Sequence, residues 1–158
     1  MRLVDRIHRV VGALQTDING GATTTTPVKV DNCDRVRIAI DMTSSGAATS
    51  AITVEQATTA AFGTNKAVAF TEYWRNHTVA TNDLLTNVAA TSNTFVAGGA
   101  AETRTYIIEI MAEDLDVTNG YHFLRVAAAQ AVGGKISVSY DLYELRQKMQ
   151  PQLQTAIA

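Results

Sequence analysis

The sequence predicts a mainly β protein: an antiparallel β-sandwich or barrel of about eight strands, with a short N-terminal amphipathic helix and a C-terminal tail. Apolar and polar residues alternate with period two in several short segments. Turn signals containing glycine separate these segments. The composition is light, with 24 Ala and 21 Thr against 6% aromatic residues, which favours Thr-rich sheets. At 158 residues the chain fits a single core.

The first segment carries a helical pattern. Its apolar residues are spaced by four, three, one and three positions, which places them on one stripe of an α-helix. A helix this short is marginal in water, so we expect it to dock on its own domain or on a neighbouring subunit. A Thr-rich stretch that we interpret as an extended arm completes a first region, 1–30. The apolar stripe consists of Leu3, Ile7, Val10, Val11 and Leu14.

The strands are predicted in a second region, 31–146. The alternation begins at Arg35, and a hairpin brings back the next strand. Thr103–Met111 gives the strongest pattern, and its two apolar faces indicate a central position between packed layers. Further strands are predicted at 52–56, 66–70, 84–88, 93–97, 121–128 and 135–145.

The third region, 147–158, is a Gln-containing tail with a thin apolar tip at Leu153 and Ile157. A tail of this kind is either frayed or held against another molecule. Since one closed domain does not need an amphipathic segment at one end and a tail at the other, the two appendages indicate assembly into something larger.

Charge and cysteine content narrow the function classes. A net charge of −2 and a pI near 5.9 disfavour general nucleic-acid binding. Cys33 is the only cysteine, which excludes an intrachain disulfide. No apolar run approaches the roughly 18 residues that a membrane span requires, and the charged N-terminal segment is unlike a signal peptide. We therefore expect neither a nucleic-acid nor a membrane partner.

No motif points to catalysis, a cofactor or a metal. A pattern similar to a calcium loop begins at Asp114, but Arg125 stands where the loop requires a bidentate glutamate. His8, His77 and His122 are far apart and have no local partner set. We expect no enzyme activity and no small-molecule substrate.

The segment around Trp74 is the densest group of contact-prone residues. Tyrosine, tryptophan and arginine are enriched at binding hot spots because they combine a large contact area with a polar tip. The alternative interpretation is that Trp74 covers the end of the core. Together with the apolar residues of the first segment and the tail, this group gives the predicted interface: Leu3, Ile7, Val10, Val11, Leu14, Tyr73, Trp74, Arg75, Leu153 and Ile157.

Several segments, taken as an ordered set, resemble small structural proteins encoded among the head genes of tailed bacteriophages. The resemblance covers roughly residues 30–145. The segments are 34–41 (DRVRIAID), 54–58 (VEQAT), 63–67 (GTNKA), 70–74 (FTEYW), 91–95 (TSNTF), 106–110 (YIIEI) and 114–117 (DLDV).

This resemblance implies a capsid decoration or cement protein. Such a protein binds the major capsid protein on the outside of the shell and ties capsomers together, as a homo-oligomer for which a trimer is favoured. It would be assembled in the host cytoplasm and located on the virion surface. The alternatives are a tail-tube or head-to-tail connector subunit and, from a different class, a β-sandwich module that stacks glycans on Tyr73 and Trp74.

Overall fold

The computed structural model describes residues 7–31, 33–45, 48–76, 84–90, 92–99 and 103–143. This part of the chain is mainly β, and all of its strand pairs are antiparallel. Two short 3₁₀ helices, Ala112–Asp114 and Val117–Asn119, follow the tenth strand. The strands are β1 Ile7–Asp17, β2 Thr23–Thr24, β3 Val28–Lys29, β4 Arg35–Ser44, β5 Thr49–Ala57, β6 Asn65–Ala67, β7 Glu72–Asn76, β8 Thr86–Ala89, β9 Thr94–Gly98, β10 Thr103–Met111, β11 Phe123–Ala128 and β12 Gly134–Tyr143.

The strands form two sheets that share one core. The first sheet has the order β1-β12-β4-β10-β7-β8, and the second is built on β11 and β5. β2 and β3 pair with the free edge of β11, while β6 and β9 pair with that of β5. Within the residues that the structure describes, the arrangement is sandwich-like and neither sheet closes into a barrel.

Alternate residues of each long strand face the core. On β4 these are Val36, Ile38, Ile40 and Met42, all at most 1% exposed. β10 and β12 follow the same period, and β5 and β11 present their buried residues from the second sheet. Burial of one face and partial exposure of the other is typical of antiparallel sheets.

Two fully buried tyrosines connect the sheets. The hydroxyl of Tyr140 in β12 accepts a hydrogen bond from the backbone N–H of Val126 in β11 at 3.0 Å. It also shares a hydrogen bond with the hydroxyl of Thr25. Tyr106 in β10 accepts from the backbone N–H of Gly98 in β9 at 2.8 Å. Because each ring begins in the first sheet and ends on the backbone of the second, these bonds fix the spacing between the sheets.

The predicted N-terminal helix is wrong. Ile7–Asp17 is strand β1, which pairs with β12 and contains two bulges. Pairing with the edge of β12 gives this segment backbone hydrogen bonds, whereas a helix of this length is marginal in water by itself. Gly12 weakens such a helix further at its centre. Gly12 is also required where it is, because a Cβ there would lie 2.4 Å from a ring carbon of Tyr140.

The strands predicted between residues 35 and 145 lie close to observed strands, whereas β7 was not predicted. Thr103–Met111 is confirmed with the same bounds and lies inside its sheet, between β4 and β7. The expectation that both of its faces are packed between layers is not met. Only one face packs against the other sheet, and on the opposite face Met111 is 39% exposed and Ile107 is half-buried. The stretch interpreted as an arm contributes β2 and β3 along β11. Twelve strands are described, against about eight predicted. The four additional strands are β1, which was predicted as a helix, β2 and β3, which were interpreted as an arm, and β7.

Candidate functional site

The outer face of the first sheet is a broad candidate surface. We define the outer face as the side of this sheet that points away from the core. Register partners in antiparallel strands lie side by side on one face, so the pairing arranges them in rows that cross the strands. The first row is Ile7, Tyr143, Arg35 and Met111; the charged row is Arg9, Asp141, Arg37 and Glu109; the apolar row is Val11, Ser139, Ala39, Ile107, Trp74 and Asn87; the polar row is Ser137, Asp41, Thr105 and Asn76; the last row is Asp17, Lys135, Thr43 and Thr103.

The charged row alternates in sign across four strands. Arg9 binds Asp141 through two hydrogen bonds, Nε to Oδ1 at 2.6 Å and Nη2 to Oδ2 at 2.9 Å. The Nε of Arg37 lies 3.7 Å from Asp141 Oδ2 on the other side. The Asp141 side chain is 1% exposed, whereas that of Arg9 is 63% exposed. The hydrogen bond to Asp141, together with its charge, raises the pKa of Arg9 above its ordinary value.

The neighbouring first row adds a cation over an aromatic ring. The guanidinium carbon of Arg35 lies 5.1 Å from the centroid of the Tyr143 ring. The Nη1 of Arg35 also lies 3.7 Å from Oε2 of Glu109, whose side chain is 38% exposed. The cationic and anionic groups at this end of the outer face are therefore partly paired with one another and partly open to a partner.

The apolar row crosses the middle of the outer face. Val11, 53% exposed, lies at one end, and Ile107 and Trp74, both half-buried, lie toward the other. The small residues Ser139 and Ala39 are between them. Flat apolar rows bordered by charged side chains are typical of protein contact surfaces.

The two aromatic residues of the predicted hot spot point in opposite directions. Trp74 lies on the outer face beside Asn87, whose amide donates to Glu72 at 2.8 Å. Tyr73 faces the core, is 7% exposed, and stacks on Phe95 with ring centroids 4.5 Å apart. Only Trp74 of this pair can meet a partner in the described fold.

The structure brings part of the predicted interface together and separates the rest. Ile7, Val11 and Trp74 share the outer face. Val10 is in the core, and Arg75 is half-buried on the same side of β7 as Tyr73. Leu14 is 75% exposed after the bulge in β1. Leu3, Leu153 and Ile157 lie outside the described residues.

The charged row is not apparent from the sequence, because its members come from four strands that are distant along the chain. One signal was available: Arg35 and Arg37 occupy the polar phase of β4, and Asp141 occupies that of β12. These residues form a row only because their strands are neighbours in the sheet, and the order of the strands cannot be read from any short segment of sequence.

The corner near His122 is a second polar cluster. His122 Nδ1 lies 2.9 Å from Asp31 Oδ1, and Lys29 pairs with the other oxygen of this carboxylate at 2.5 Å. A small open cleft beside them is otherwise lined by Val30, Ala112 and Val117. Its described lining contains no hydroxyl or thiol that an Asp–His pair could activate as a nucleophile.

The segment that resembled a calcium loop is tied down by side chains. Asp116 binds Lys66 and accepts two hydrogen bonds from the amide of Asn119, both 2.8 Å long. These hydrogen bonds lower the pKa of Asp116 below its ordinary value, and the bond from Lys66 has the largest effect. Within the described residues, no group of three or more His, Cys, Asp or Glu side chains is arranged to hold a metal ion.

No protein family matches the chain, and no curated protein matches it either. Among the residues that the structure describes, no helix has the length and apolar character needed to cross a membrane.

Proposed function

We propose that this protein is a structural component of a tailed-bacteriophage virion, of the capsid decoration or cement type. It binds the major capsid protein on the outside of the shell, acts as a homo-oligomer, and stabilises the particle by bridging capsomers. Its role is binding rather than catalysis. It joins the shell in the host cytoplasm and remains on the virion surface.

The outer face is the observation that carries this proposal. It presents ionic, apolar and polar rows on one side of a sheet, which is a chemistry suited to protein contact. The sheet is held rigidly, because the buried hydroxyls of Tyr140 and Tyr106 tie it to the second sheet. A rigid body loses little conformational entropy on binding, so more of the contact energy remains as affinity.

A cement protein also needs a surface for the shell. Leu14 and Val132 are 75% and 73% exposed, which makes them the most exposed large apolar side chains of the described residues. Both lie toward the end of the first sheet where β1 ends and β12 begins. We assign the shell contact to this end. Binding many copies to the assembled lattice, and not to free subunits, stabilises the lattice by mass action.

The test compares particles with and without the protein. We expect decorated particles to rupture at a higher temperature, with a copy number near that of the main shell subunit. Leu14→Asp should weaken attachment, while Val96→Asp, which alters a 61% exposed side chain on the other sheet, should not. Equal rupture temperatures would contradict the proposal, and a handful of copies at one vertex would indicate a connector instead.

The arrangement around Trp74 favours one second candidate, a glycan-binding module. An indole ring beside the hydrogen-bonded pair Asn87 and Glu72 offers a sugar both a stacking surface and polar partners. Trp74→Ala should abolish retention on immobilised glycans if this candidate is right. Under the cement proposal, glycan retention is absent from the start, and the variant still attaches to particles.

A further inference from the structure

We propose that the outer face binds a second copy of this chain, around a two-fold axis that runs parallel to the strands between β12 and β4. The inference rests on the proposed function only in treating this face as a protein contact, and it names the partner. A two-fold contact brings the same surface of both copies together, so that surface must be complementary to itself.

The alternating charged row satisfies this requirement. Rotation about the proposed axis reverses the order of the row, so that Arg9 meets Glu109 of the second copy. Asp141, which is 1% exposed and already bound by Arg9, lies opposite Arg37 of the second copy and acts on it through its charge rather than through direct contact. Every charge in the row then lies opposite one of the other sign. The Arg9 and Glu109 side chains are 63% and 38% exposed, which leaves both able to form the new pair.

Other positions of the axis satisfy fewer charges. An axis along β4 would place Arg37 against itself, and an axis along β12 would do the same to Asp141. An axis along the apolar row, at right angles to the strands, would pair Arg37 with Asp41 but leave Arg9 and Glu109 opposite neutral side chains. Only the axis between β12 and β4 pairs the whole row.

The rows on either side agree with this axis. In the first row, Arg35 meets the ring of Tyr143 of the second copy, a pairing that each chain already makes within itself at 5.1 Å. In the apolar row, Val11 meets Ile107. The small residues Ser139 and Ala39 lie next to the axis, where the two sheets must come closest.

The size and twist of the sheets are compatible with a stable contact. Four strands at about 4.8 Å spacing and about nine residues in length give a face of roughly 20 by 30 Å. Two such faces would bury on the order of 1,200 Å², at the lower limit for specific interfaces. Aligned sheets cross at about −30°, and the arginine and glutamate pairs lie within about 7 Å of the axis, so long side chains can bridge the offset.

The test measures the mass of the full chain in solution by sedimentation, together with charge reversal. We expect a dimer whose dissociation constant rises with salt. Arg9→Glu alone and Glu109→Arg alone should each raise the dissociation constant at least about tenfold, because symmetry makes every reversal act twice. An equimolar mixture of the two single variants should form a heterodimer, since both of its ion pairs are then restored.

An uncharged position supplies an independent variant if a reversal harms folding. Ala39→Lys places two cations beside the axis and should abolish the dimer. Ala127→Lys changes a half-buried alanine on the outward side of β11, in the other sheet, and should leave the dimer intact. Thermal unfolding shows that each variant is folded before its mass is interpreted.

A monomeric or trimeric wild-type chain would overturn the inference, and so would a dimer that Ala39→Lys leaves unchanged. A dimer that both reversals weaken, but that their mixture does not restore, would refute the assigned axis. These outcomes are distinguishable from failure of the cement role: a monomer that still stabilises particles refutes the dimer and the homo-oligomer but not the cement role, whereas a dimer that does not bind particles refutes only the cement role.

Discussion

Replacing Tyr140 with phenylalanine removes one hydroxyl from the centre of the core and leaves the ring in place. That hydroxyl bonds to Thr25 and accepts the N–H of Val126. The N–H keeps a second acceptor, Thr25 Oγ1 at 3.0 Å, so the variant leaves no backbone donor unsatisfied. The loss is then that of a buried hydrogen bond, about 1–2 kcal/mol at neutral pH. For a domain of this size we expect the Tm to fall by about 3–6 °C.

The difference in stability between the wild-type protein and Tyr140→Phe changes sign at high pH. Burial raises the pKa of Tyr140 well above its ordinary value, so the folded protein keeps the phenolic proton while the unfolded chain loses it above pH about 10. The unfolded state then binds fewer protons, and stability falls by about 1.4 kcal/mol per pH unit. Tyr140→Phe lacks this loss, so the deficit of the variant should vanish near pH 11 and reverse above it.

The assay is urea unfolding of both proteins between pH 7 and pH 12. We expect the two curves of unfolding free energy against pH to run parallel below about pH 10 and then to cross. Tyr121→Phe, a half-exposed tyrosine, serves as the control at neutral pH and should change stability by less than about 0.5 kcal/mol. Curves that stay parallel up to pH 12 would refute the assignment of a neutral, core-buried hydroxyl.

Three further substitutions or labels probe other parts of the structure. Gly12→Ala should destabilise the fold by about 1–3 kcal/mol in urea unfolding, because its Cβ would overlap the ring of Tyr140. Asp141→Asn should cost about 1–2 kcal/mol, since a side chain that is 1% exposed loses its charge-assisted bonds with Arg9. Cys33, with no exposed surface, should resist a thiol reagent in the native state and react with one equivalent in denaturant.

Matched positions provide the controls for these predictions. Gly20 has open space around its hypothetical Cβ, so Gly20→Ala should not destabilise the fold. Asp41 lies exposed on the same face as Asp141, and Asp41→Asn should change stability by less than about 0.5 kcal/mol. Rapid labelling of native Cys33 would contradict its burial just before β4, and equal losses for Gly12→Ala and Gly20→Ala would contradict the contact with the tyrosine.

Local patterns were sufficient to find the central strands. The alternation from Arg35 to Met42 and the pattern of Thr103–Met111 follow the period of a pleated strand, and the structure pairs these two segments across eight positions. The short strands β2 and β3 were not predicted. They consist of two residues each and pair with the edge of β11. A segment this short carries too little periodicity to be recognised from sequence.

The composition of the outer face could be predicted only in fragments. Each strand shows which of its residues avoid the core, but the order β1-β12-β4-β10 is a property of the fold. The interface set chosen from residue type contains Tyr73 and Val10, which face the core, because residue type does not report the direction of a side chain. Deciding which face of each strand points to the core would have removed both residues from the set. Val10 lies beside the buried Tyr140, and Tyr73 lies on the opposite face of its strand from Trp74.

The first segment shows why an apolar stripe alone does not determine a helix. The spacing of Ile7, Val10, Val11 and Leu14 fits a helical face, yet in strand β1 Val10 lies in the core while Ile7 and Val11 lie on the outer face. In β1, the bulge after Val11 shifts the phase, and Leu14 ends exposed rather than in the core. Gly12 is the residue that permits the close approach to Tyr140 at this bulge. A glycine at the centre of a short, β-branched apolar segment is therefore a reason to consider a bulged edge strand before a helix.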